Sequence, residues 1–583
     1  MSSTAGRGPR SGRVLLIVLL VAGLVAALAW WWHGRAKEDV LSEWTADTGH
    51  PLTAEQRSVR FAAADLAFDV DPAKKALGGI ATLRFDVLKP IDKLQLDLDP
   101  RFAISSLTAD GKDARFDNPE GRLTVTLPRS YAAGEKLALR IAYAGQPHVA
   151  KKAPWDGGFV WSKTPAGAPW VATAVEGEGC DLFWPCIDNS LVEVGTVDLH
   201  ITVPKGLVAP SNGRFTGLTR AADGRPTWNW RTSNPNNYAI ALNIAPYKVL
   251  REEHRSRFGN VIPVFYFYLP GEDAKAKALF AEFGPTLDWY ERTIGPYPFG
   301  SEKVAAVETP HLGMEHQTIN AYGNGYKPAA EGFDWLFHHE FAHEWFGNQL
   351  TNADWDDMWL HEGFGTYMQA LSIRDRLGDL PYDAWLWKQR ALIQNKFPIA
   401  TGHHMLEKQV YDSKVGPGTD IYYKGAYALH TLRNLIGDEP FFRATRRLVY
   451  GRPDPRPGNF TTRFGTTEEY VRLVNEETGR DLRWFFDVYI RSARLPRLVT
   501  TQAGNRVQLQ WRTQGGRPFP MPVEVRVGDR VETVPMTGGR GTLTLPAVDT
   551  PFTIDPAGKL LMQSDAVDRF RDWTAEEARK KAA

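Results

Sequence analysis

The feature that most constrains the fold is the period of the hydrophobic pattern, which changes twice along the chain. From about residue 55 to 250, apolar side chains alternate with polar ones, as at Leu83 and Phe85, and this is the period of a strand with one buried face. From about Gly271 to residue 494 the apolar spacing becomes three and four, as in a helix. After Pro496 the alternation returns. We therefore predict a multidomain α+β protein.

The predicted domain organisation follows these changes and the charge pattern of the two ends. Lys and Arg (69) balance Asp and Glu (68), so we expect no nucleic-acid partner. The predicted segments are a cytoplasmic tail at 1–13, a transmembrane signal anchor at 14–32, an N-terminal antiparallel β domain at 50–250, a mostly helical domain at 251–494, a small C-terminal β-sandwich at 495–562 and a charged tail at 563–583.

The N-terminus carries a localisation signal. Three arginines within residues 7–13 precede the uncharged run 14–32, whose 19 residues are enough to span a bilayer. We expect a single-pass anchor with the bulk of the chain outside the cytoplasm, either periplasmic or extracellular. Alternatively, Ala-Leu-Ala at 27–29 fits a signal-peptide cleavage site, and the protein would then be secreted. The tryptophans at 30–32 suit the interfacial belt of a retained anchor and favour the first interpretation.

The cysteine content limits the kinds of metal site. Cys180 and Cys186 are the only cysteines, which excludes a disulfide framework and a cysteine-built zinc finger. Any metal site must therefore use histidines and carboxylates. A bridge between the two cysteines is compatible with an oxidising compartment, but their spacing does not establish one.

The sequence H-E-x-x-H at His339, Glu340 and His343 carries the chemistry. On a helix, positions i and i+4 share one face, so both imidazoles can hold one zinc ion while Glu340 reaches a water beside it. A catalytic zinc has a third protein ligand. Glu362 is available and His361 is its rival, although we expect His361 to lie beside the site. The alternative is a buried helix whose histidines and glutamates only hydrogen-bond one another.

The segment 339–348, with Glu362 placed 19 residues after His343, resembles the gluzincin aminopeptidases of the aminopeptidase N and leukotriene hydrolase family. The resemblance covers about residues 50–560. It implies an N-terminal β saddle, a thermolysin-like catalytic domain and a small β-sandwich, with one Zn²⁺ per chain held by His339, His343 and Glu362. Further matching segments are Trp184–Asp188, Pro296–Phe299, Gly313–Glu315, Tyr422–Gly425 and Trp484–Asp487.

Gly313, Met314 and Glu315 are similar to the family's G-x-M-E-N motif, whose glutamate binds the free α-amino group of the substrate. A buried ammonium needs a carboxylate partner, so this role suits Glu315. The match departs from the motif at Leu312 and His316, where the family usually has glycine and asparagine. The geometry at the amino end is therefore less closely defined than the zinc site.

The resemblance implies further positions around the site. Tyr422 matches the tyrosine of the family's Y-x-K-G motif, which donates a hydrogen bond to the tetrahedral oxyanion. The adjacent Tyr423 is a rival in register, but only Tyr422 has the correct spacing to the Lys-Gly pair. The family's usual upstream glutamine falls on Ala174, with an acidic residue at Glu176, which leaves the subsite for the first side chain partly undefined.

The predicted function is therefore zinc-dependent aminopeptidase activity on peptides, with Glu340 as general base and Tyr422 as oxyanion stabiliser. A zinc endopeptidase on the same scaffold would not need Glu315. A non-catalytic peptide-binding ectodomain would have no use for Glu340. The chain stops after the small β-sandwich, without the large helical domain of longer members, so we expect a less enclosed site. The sequence gives no prediction for the preferred N-terminal residue or the oligomeric state.

Overall fold

The computed structural model describes residues 40–458 and 460–582. From Glu43 onward these residues form one compact unit, distinct from the unit that ends at Ser42. The predicted cytoplasmic tail (1–13) and transmembrane anchor (14–32) lie outside the described residues. Within the described part of the chain, no helix is both long enough and apolar enough to cross a membrane.

Strands dominate the N-terminal region, as the alternating pattern predicts. They are β1 (Val59–Asp71), β2 (Ala76–Val87), β3 (Ile91–Asp97), β4 (Ala103–Ala109), β5 (Lys112–Asp113), β6 (Arg115–Asp117), β7 (Arg122–Tyr131), β8 (Lys136–Gly145), β9 (Gly158–Lys163), β10 (Pro169–Ala174), β11 (Thr196–Thr202), β12 (Arg214–Arg220), β13 (Pro226–Ser233) and β14 (Asn243–Ile244).

These strands form an eight-stranded sheet, in the order β12-β13-β11-β1-β2-β8-β4-β5, and two three-stranded sheets, β3-β7-β6 and β14-β10-β9. The large sheet is not purely antiparallel, because β1 pairs with β11 in parallel. Strands β2 to β10 separate this pair in the chain, and a parallel pair needs such a long connection. Cys180 and Cys186 form a disulfide beside these sheets.

A second mixed sheet lies at the start of the helical region. Its order is β15-β16-β17-β19-β18, which leaves β18 at one edge. A two-stranded parallel pair, β20-β21, lies elsewhere in the same region. The strands are β15 (Lys248–Arg255), β16 (Val261–Tyr268), β17 (Val304–Glu308), β18 (Gly313–Met314), β19 (Asn320–Tyr322), β20 (Leu350–Asn352) and β21 (Arg463–Gly465).

The helices of this region enclose a core rich in aromatic residues. They are α1 (Asp273–Phe280), α2 (Phe283–Thr293), α3 (Trp335–Ala342), α4 (Trp359–Leu377), α5 (Asp379–Arg390), α6 (Glu407–Tyr411), α7 (Asp420–Ile436), α8 (Asp438–Tyr450), α9 (Thr467–Thr478) and α10 (Arg483–Tyr489).

Helices α4 and α7 approach each other closely at two glycines. Every residue of α4 from Trp359 to Ile373 is buried, so this helix is packed on all sides. A Cβ on Gly363 would lie 3.1 Å from the Cα of Gly425, and a Cβ on Gly425 would lie 3.0 Å from the Cα of Gly363. The two glycines therefore allow backbone contact between α4, which carries Glu362, and α7, which carries Tyr422.

The C-terminal region returns to strands, which form two three-stranded sheets in the orders β22-β23-β26 and β25-β24-β27. With the N-terminal sheets and the helical region, they confirm the predicted fold class. The predicted boundaries fall inside β15 and between α10 and β22. The elements are β22 (Arg497–Ala503), β23 (Arg506–Arg512), β24 (Val523–Val527), β25 (Arg530–Val534), β26 (Arg540–Thr544), β27 (Phe552–Ile554) and α11 (Asp565–Ala582).

Candidate active site

The H-E-x-x-H segment lies on α3, as its spacing predicts. The side chain of Asp334 caps the start of the helix by accepting a hydrogen bond from a backbone N–H of the first turn. His339 lies in the last full turn, and His343 is the C-cap residue, followed by a π-helical turn over Glu344–Gln349. The Nε2 atoms of His339 and His343 are 3.3 Å apart. One helix face thus presents both imidazoles together.

Glu362 on α4 completes this group. Its Oε2 lies 3.4 Å from Nε2 of His339 and 3.6 Å from Nε2 of His343. The Nδ1 atom of His343 lies 2.9 Å from the carbonyl oxygen of Phe346. A proton on Nδ1 donates to that carbonyl and leaves Nε2 as the free ligand atom, which is the usual way in which a second contact orients a metal-binding histidine.

These three side chains fit a zinc ion. Ligands of a tetrahedral zinc lie at about 2.0–2.2 Å from the ion and hence at about 3.3 Å from each other. The buried Oε2 of Glu362 makes no hydrogen bond within the described structure. Burial acts to raise the pKa of Glu362, but His343 and His339 lower it to about 2. Glu362 therefore offers a charged carboxylate, as a zinc ligand must.

His361 takes part in a different contact. Its Nε2 accepts a hydrogen bond of 2.9 Å from the backbone N–H of Asn352, and its ring centroid is 6.4 Å from that of His343. Among the described residues, the group of potential ligands around His339 contains His343 and Glu362 but not His361. The geometry thus favours Glu362 as the third ligand.

Glu340 faces the edge strand β18 from α3. A Cβ on Gly313 would overlap Oε1 of Glu340 and come within 2.8 Å of Leu336, so only glycine fits there. Gly313 and Met314 pair with Tyr322 and Ala321 of β19, which fixes their register beside the helix. Burial raises the pKa of Glu340 well above its ordinary value, whereas the nearby His339 lowers it.

Glu315 follows directly after β18 and is buried. Its Oε1 accepts a hydrogen bond of 2.8 Å from the Tyr238 hydroxyl, and its backbone carbonyl accepts one of 2.9 Å from the side chain of Asn348. Tyr238 belongs to the N-terminal β region, and sequence reasoning missed it because it lies in no recognised motif. His316, which stands where the family motif usually has asparagine, is fully buried. Neither of its ring nitrogens has a hydrogen-bond partner among the described residues.

Glu176 brings a second carboxylate to the same cleft. Its Oε1 is buried and has no hydrogen-bond partner within the described structure. Burial raises the pKa of Glu176 well above its ordinary value, and the carboxylate of Glu315 raises it further. Two carboxylates this close are stabilised by a cation between them.

Two tyrosines approach the group from the other side. The ring of Tyr422 lies 6.2 Å from that of His339 at an interplanar angle of 25°. Tyr411 donates a hydrogen bond of 3.2 Å to Oε1 of Glu362. Sequence reasoning missed Tyr411, because it ends the short helix α6 in a polar segment without a motif. Tyr423, the rival of Tyr422, is not among the residues that line the described cleft.

All eight residues predicted for the site line one cleft. The other six lining residues belong to segments for which sequence reasoning predicted no function or only an undefined one. The complete lining is Pro154, Trp155, Glu176, Gly177, Gly313, Met314, Glu315, His339, Glu340, His343, Glu362, Glu407, Tyr411 and Tyr422.

Together, the β region, the helical region and a two-histidine, one-glutamate group define a gluzincin type of metal site. A family model for the peptidase family M1 domain matches residues 327–489. The crystal structure of an M1 zinc metallopeptidase from Deinococcus radiodurans, bound to a Tyr-Ser-Ala substrate, superimposes with a TM-score of 0.65 and 25% identity. That similarity covers 78% of this chain and 98% of the other. Residues 327–489 thus match the M1 peptidase domain, in agreement with the resemblance to the gluzincin aminopeptidases that the motifs indicate.

Curated relatives are similar over a large part of this chain. "Probable aminopeptidase 1" of Saccharolobus solfataricus is 24% identical over 76% of the chain and 56% of its own length. Aminopeptidase B of Rattus norvegicus is 25% identical over 64% of the chain and 59% of its own length. The chain therefore spans somewhat more than half the length of these relatives.

Proposed function

We propose that the protein is a zinc-dependent aminopeptidase that hydrolyses the N-terminal peptide bond of peptides. The observation that carries this proposal is the position of Glu315 and Glu176, whose buried carboxylates line the same cleft as His339, His343 and Glu362. A carboxylate pair beside a hydrolytic metal site suits a substrate with a free ammonium. The names of the relatives, and the tripeptide bound by the Deinococcus protein, support the same activity.

In this proposal His339, His343 and Glu362 hold one Zn²⁺ per chain. The chemistry that zinc supplies when bound is Lewis-acid polarisation of the scissile carbonyl and acidification of a water molecule. Tyr411 and the Phe346 carbonyl hold Glu362 and His343 in the orientation that binding requires.

The other side chains of the cleft perform the proton transfers and the positioning. Glu340 accepts a proton from the attacking water and returns it to the leaving amine, because it lies on α3 between the two histidines of the zinc group. Tyr422 donates a hydrogen bond to the oxyanion that forms at the former carbonyl. Glu315 accepts hydrogen bonds from the substrate ammonium while Tyr238 holds its carboxylate in place.

The exopeptidase part of the proposal depends on Glu315. With this residue changed to alanine, kcat/KM for unblocked peptides should fall by about 10²-fold or more, because the substrate ammonium loses its partner in a partly desolvated cleft. N-acetylated peptides should be poor substrates of the unchanged protein, and Glu315→Ala should hardly alter their residual cleavage. Equal cleavage of acetylated and free peptides at internal bonds would instead support the endopeptidase alternative.

We also propose that residues 14–32 anchor the protein and that the catalytic region lies outside the cytoplasm. The arginines before this run support the orientation, and the Cys180–Cys186 disulfide suits an oxidising compartment. N-terminal sequencing of the mature protein separates the two forms of this proposal. A start at Trp30 would mean cleavage and secretion, whereas an intact N-terminus would mean a retained anchor.

A further inference from the structure

The cleft contains one glutamate that the proposed mechanism does not use. Of its five glutamates, Glu362 belongs to the zinc group, Glu340 is the proposed base, and Glu315 and Glu176 face the substrate ammonium. The fifth is Glu407. No lysine or arginine lines the described cleft, so Glu407 is a carboxyl group that the proposed chemistry does not use and that no cation of the lining neutralises.

Glu407 and Tyr411 occupy positions i and i+4 of α6, and thus one face of that helix. Tyr411 contacts Glu362. Since one helical turn rises about 5.4 Å, Glu407 lies about one turn along α6 from Tyr411, and both residues line the cleft.

The carboxylate of Glu407 is free to accept such a group. Within the described structure its oxygens accept no hydrogen bond, and they lie against Gly177, where a Cβ would be 3.1 Å from both of them. The neighbouring cation does not neutralise it, because Lys408 directs its ammonium to Glu178 at 3.4 Å and to the carbonyl of Ala46. Burial raises the pKa of Glu407 well above its ordinary value, and Glu178 and Asp47 raise it further.

A second feature of the same cleft also suits a cation. Trp155 lines the cleft and yet has 65% of its surface exposed. An exposed indole face attracts ammonium and guanidinium groups, and its ring already lies 5.1 Å from the ammonium of Lys152. In addition, Oε1 of Glu176, which lines the same cleft as Glu315 and Glu407, is buried without a hydrogen-bond partner within the described structure.

We infer that Glu407 binds the cationic side chain of a lysine or arginine at the N-terminal residue of the substrate. This inference rests on the proposed aminopeptidase function and names its substrate class. Glu315 and Glu176 hold the α-ammonium, and Glu407 pairs with the side-chain charge. A ligand whose side chain has the same length but no charge should lose this contact and keep the others.

Binding to the full-length, zinc-loaded Glu340→Gln variant tests the inference without turnover. L-lysinamide and L-norleucinamide have side chains of similar length and differ in the terminal ammonium. We expect calorimetry to show L-lysinamide binding at least about 10-fold more tightly, as for one hydrogen bond between charged groups. Adding Glu407→Gln should reduce this ratio to about 2-fold or less while norleucinamide binds as before. Adding Glu407→Asp should restore part of the preference, and adding Glu253→Gln, a change on the exposed surface, should leave the ratio intact.

Two results would overturn the inference. One is equal binding of the two amides, and the other is an equal loss of both on Glu407→Gln, which would mean that Glu407 contacts the α-ammonium instead. Hydrolysis by the unmodified protein separates this question from the proposed function. If neither Lys- nor norleucine-initiated peptides are hydrolysed while lysinamide still binds preferentially, the aminopeptidase proposal fails and the subsite stands. If both kinds of peptide are hydrolysed at equal kcat/KM, the aminopeptidase proposal stands and the inferred Glu407 subsite fails.

Discussion

Two buried polar regions of the molecule, the cleft and a group of charged residues around Lys303, differ in how their polar groups are bonded. In the cleft, Oε2 of Glu362 and Oε1 of Glu176 have no hydrogen-bond partner within the described structure. The charged groups around Lys303 instead form hydrogen bonds with nearby backbone and side-chain groups. We call this region the junction network. This network consists of Glu302, Lys303, Thr318 and Glu344 together with the groups that they contact.

The junction network joins the N-terminal β region to the helical region. The ammonium of Lys303 donates to the carbonyls of Ser211, at 2.8 Å, and Gly213. Glu302 accepts hydrogen bonds of 3.0 and 2.7 Å from Thr232 and Ser233.

Glu344, the neighbour of His343, is bonded just as completely. It accepts hydrogen bonds of 2.8 Å from the Thr318 N–H, 3.0 Å from Asn320 and 3.1 Å from the Tyr297 hydroxyl. Each charge of the junction network thus has several partners, as a buried structural charge requires.

The comparison indicates what each region is for. A buried charge without partners costs free energy, and a fold retains it where a ligand supplies the missing contact. A buried charge with a full set of partners holds two parts of the structure together. Changes in the cleft should therefore reduce metal binding and catalysis, whereas changes in the junction network should reduce stability.

The largest effect should follow Glu362→Gln, which removes the ligand charge and keeps the side-chain shape. Loss of a residue that only contacts a metal ligand typically lowers metal affinity by about 10–100-fold. Because Glu362 is itself a proposed ligand, zinc affinity should fall by more than this. The free energy of unfolding of the metal-free protein should change less than in Lys303→Met, because glutamine can still accept the hydrogen bond from Tyr411 and only the attraction of His343 and His339 for the carboxylate is lost. Zinc content after dialysis and urea unfolding measure both quantities. Full zinc retention, or a large loss of stability, would break the comparison.

Lys303→Met should show the opposite pattern. The free energy of unfolding should fall by about 3 kcal/mol, because two buried carbonyls lose a donor and the nearby Glu302 and Glu344 lose an opposing charge. Zinc content should not change. Burial, despite the opposing Glu302 and Glu344, lowers the pKa of Lys303 from 10.5 to about 7.

The lowered pKa of Lys303 also predicts a pH dependence. The unfolded chain binds this proton more tightly than the folded protein, so the contribution of Lys303 to stability should rise between pH 7 and 10.5. Denaturation of both proteins at pH 7 and pH 9.5 should show a smaller rise for the variant. An identical rise in both would mean that Lys303 titrates normally.

A smaller effect should separate the two tyrosines of the cleft. Tyr422→Phe should lower kcat by about 10²–10³-fold with little change in KM, the usual loss for one oxyanion donor. Tyr411→Phe should instead weaken zinc binding by about 10–100-fold, because Tyr411 contacts Glu362. Steady-state kinetics at saturating zinc should largely restore Tyr411→Phe but not Tyr422→Phe. The reverse result would exchange the two roles.

The features that sequence reasoning predicted are those set by local spacing. His339 and His343 meet because they are four residues apart on one helix, and Thr466 caps α9 through the N–H of Glu469 at 3.0 Å, as the capping pattern predicts. The alternation in β1 and β11 revealed two strands with a buried face. It carried no information on direction, because parallel and antiparallel partners show the same alternation. Their parallel pairing could therefore not be predicted.

The residues that sequence reasoning missed reach the cleft through tertiary packing. Tyr238 comes from the N-terminal β region, and Tyr411 and Glu407 come from the five-residue helix α6. Neither segment has a motif, and α6 is too short for a periodic pattern to be recognised. The second carboxylate, Glu176, was visible only as an acidic residue at an undefined position, because its role depends on its distance from Glu315 in the folded chain.

In the proposed mechanism, the cleft is a zinc site in which Glu340 moves the proton. Zinc content and turnover of Glu340→Gln, measured on the same preparation with an unblocked peptide, test it most directly. Zinc should remain at about one ion per chain, since His339, His343 and Glu362 are intact, while kcat falls by about 10²–10⁴-fold or more. If Glu340→Gln kept its zinc and most of its turnover, Glu340 would not be the general base and the account would be wrong.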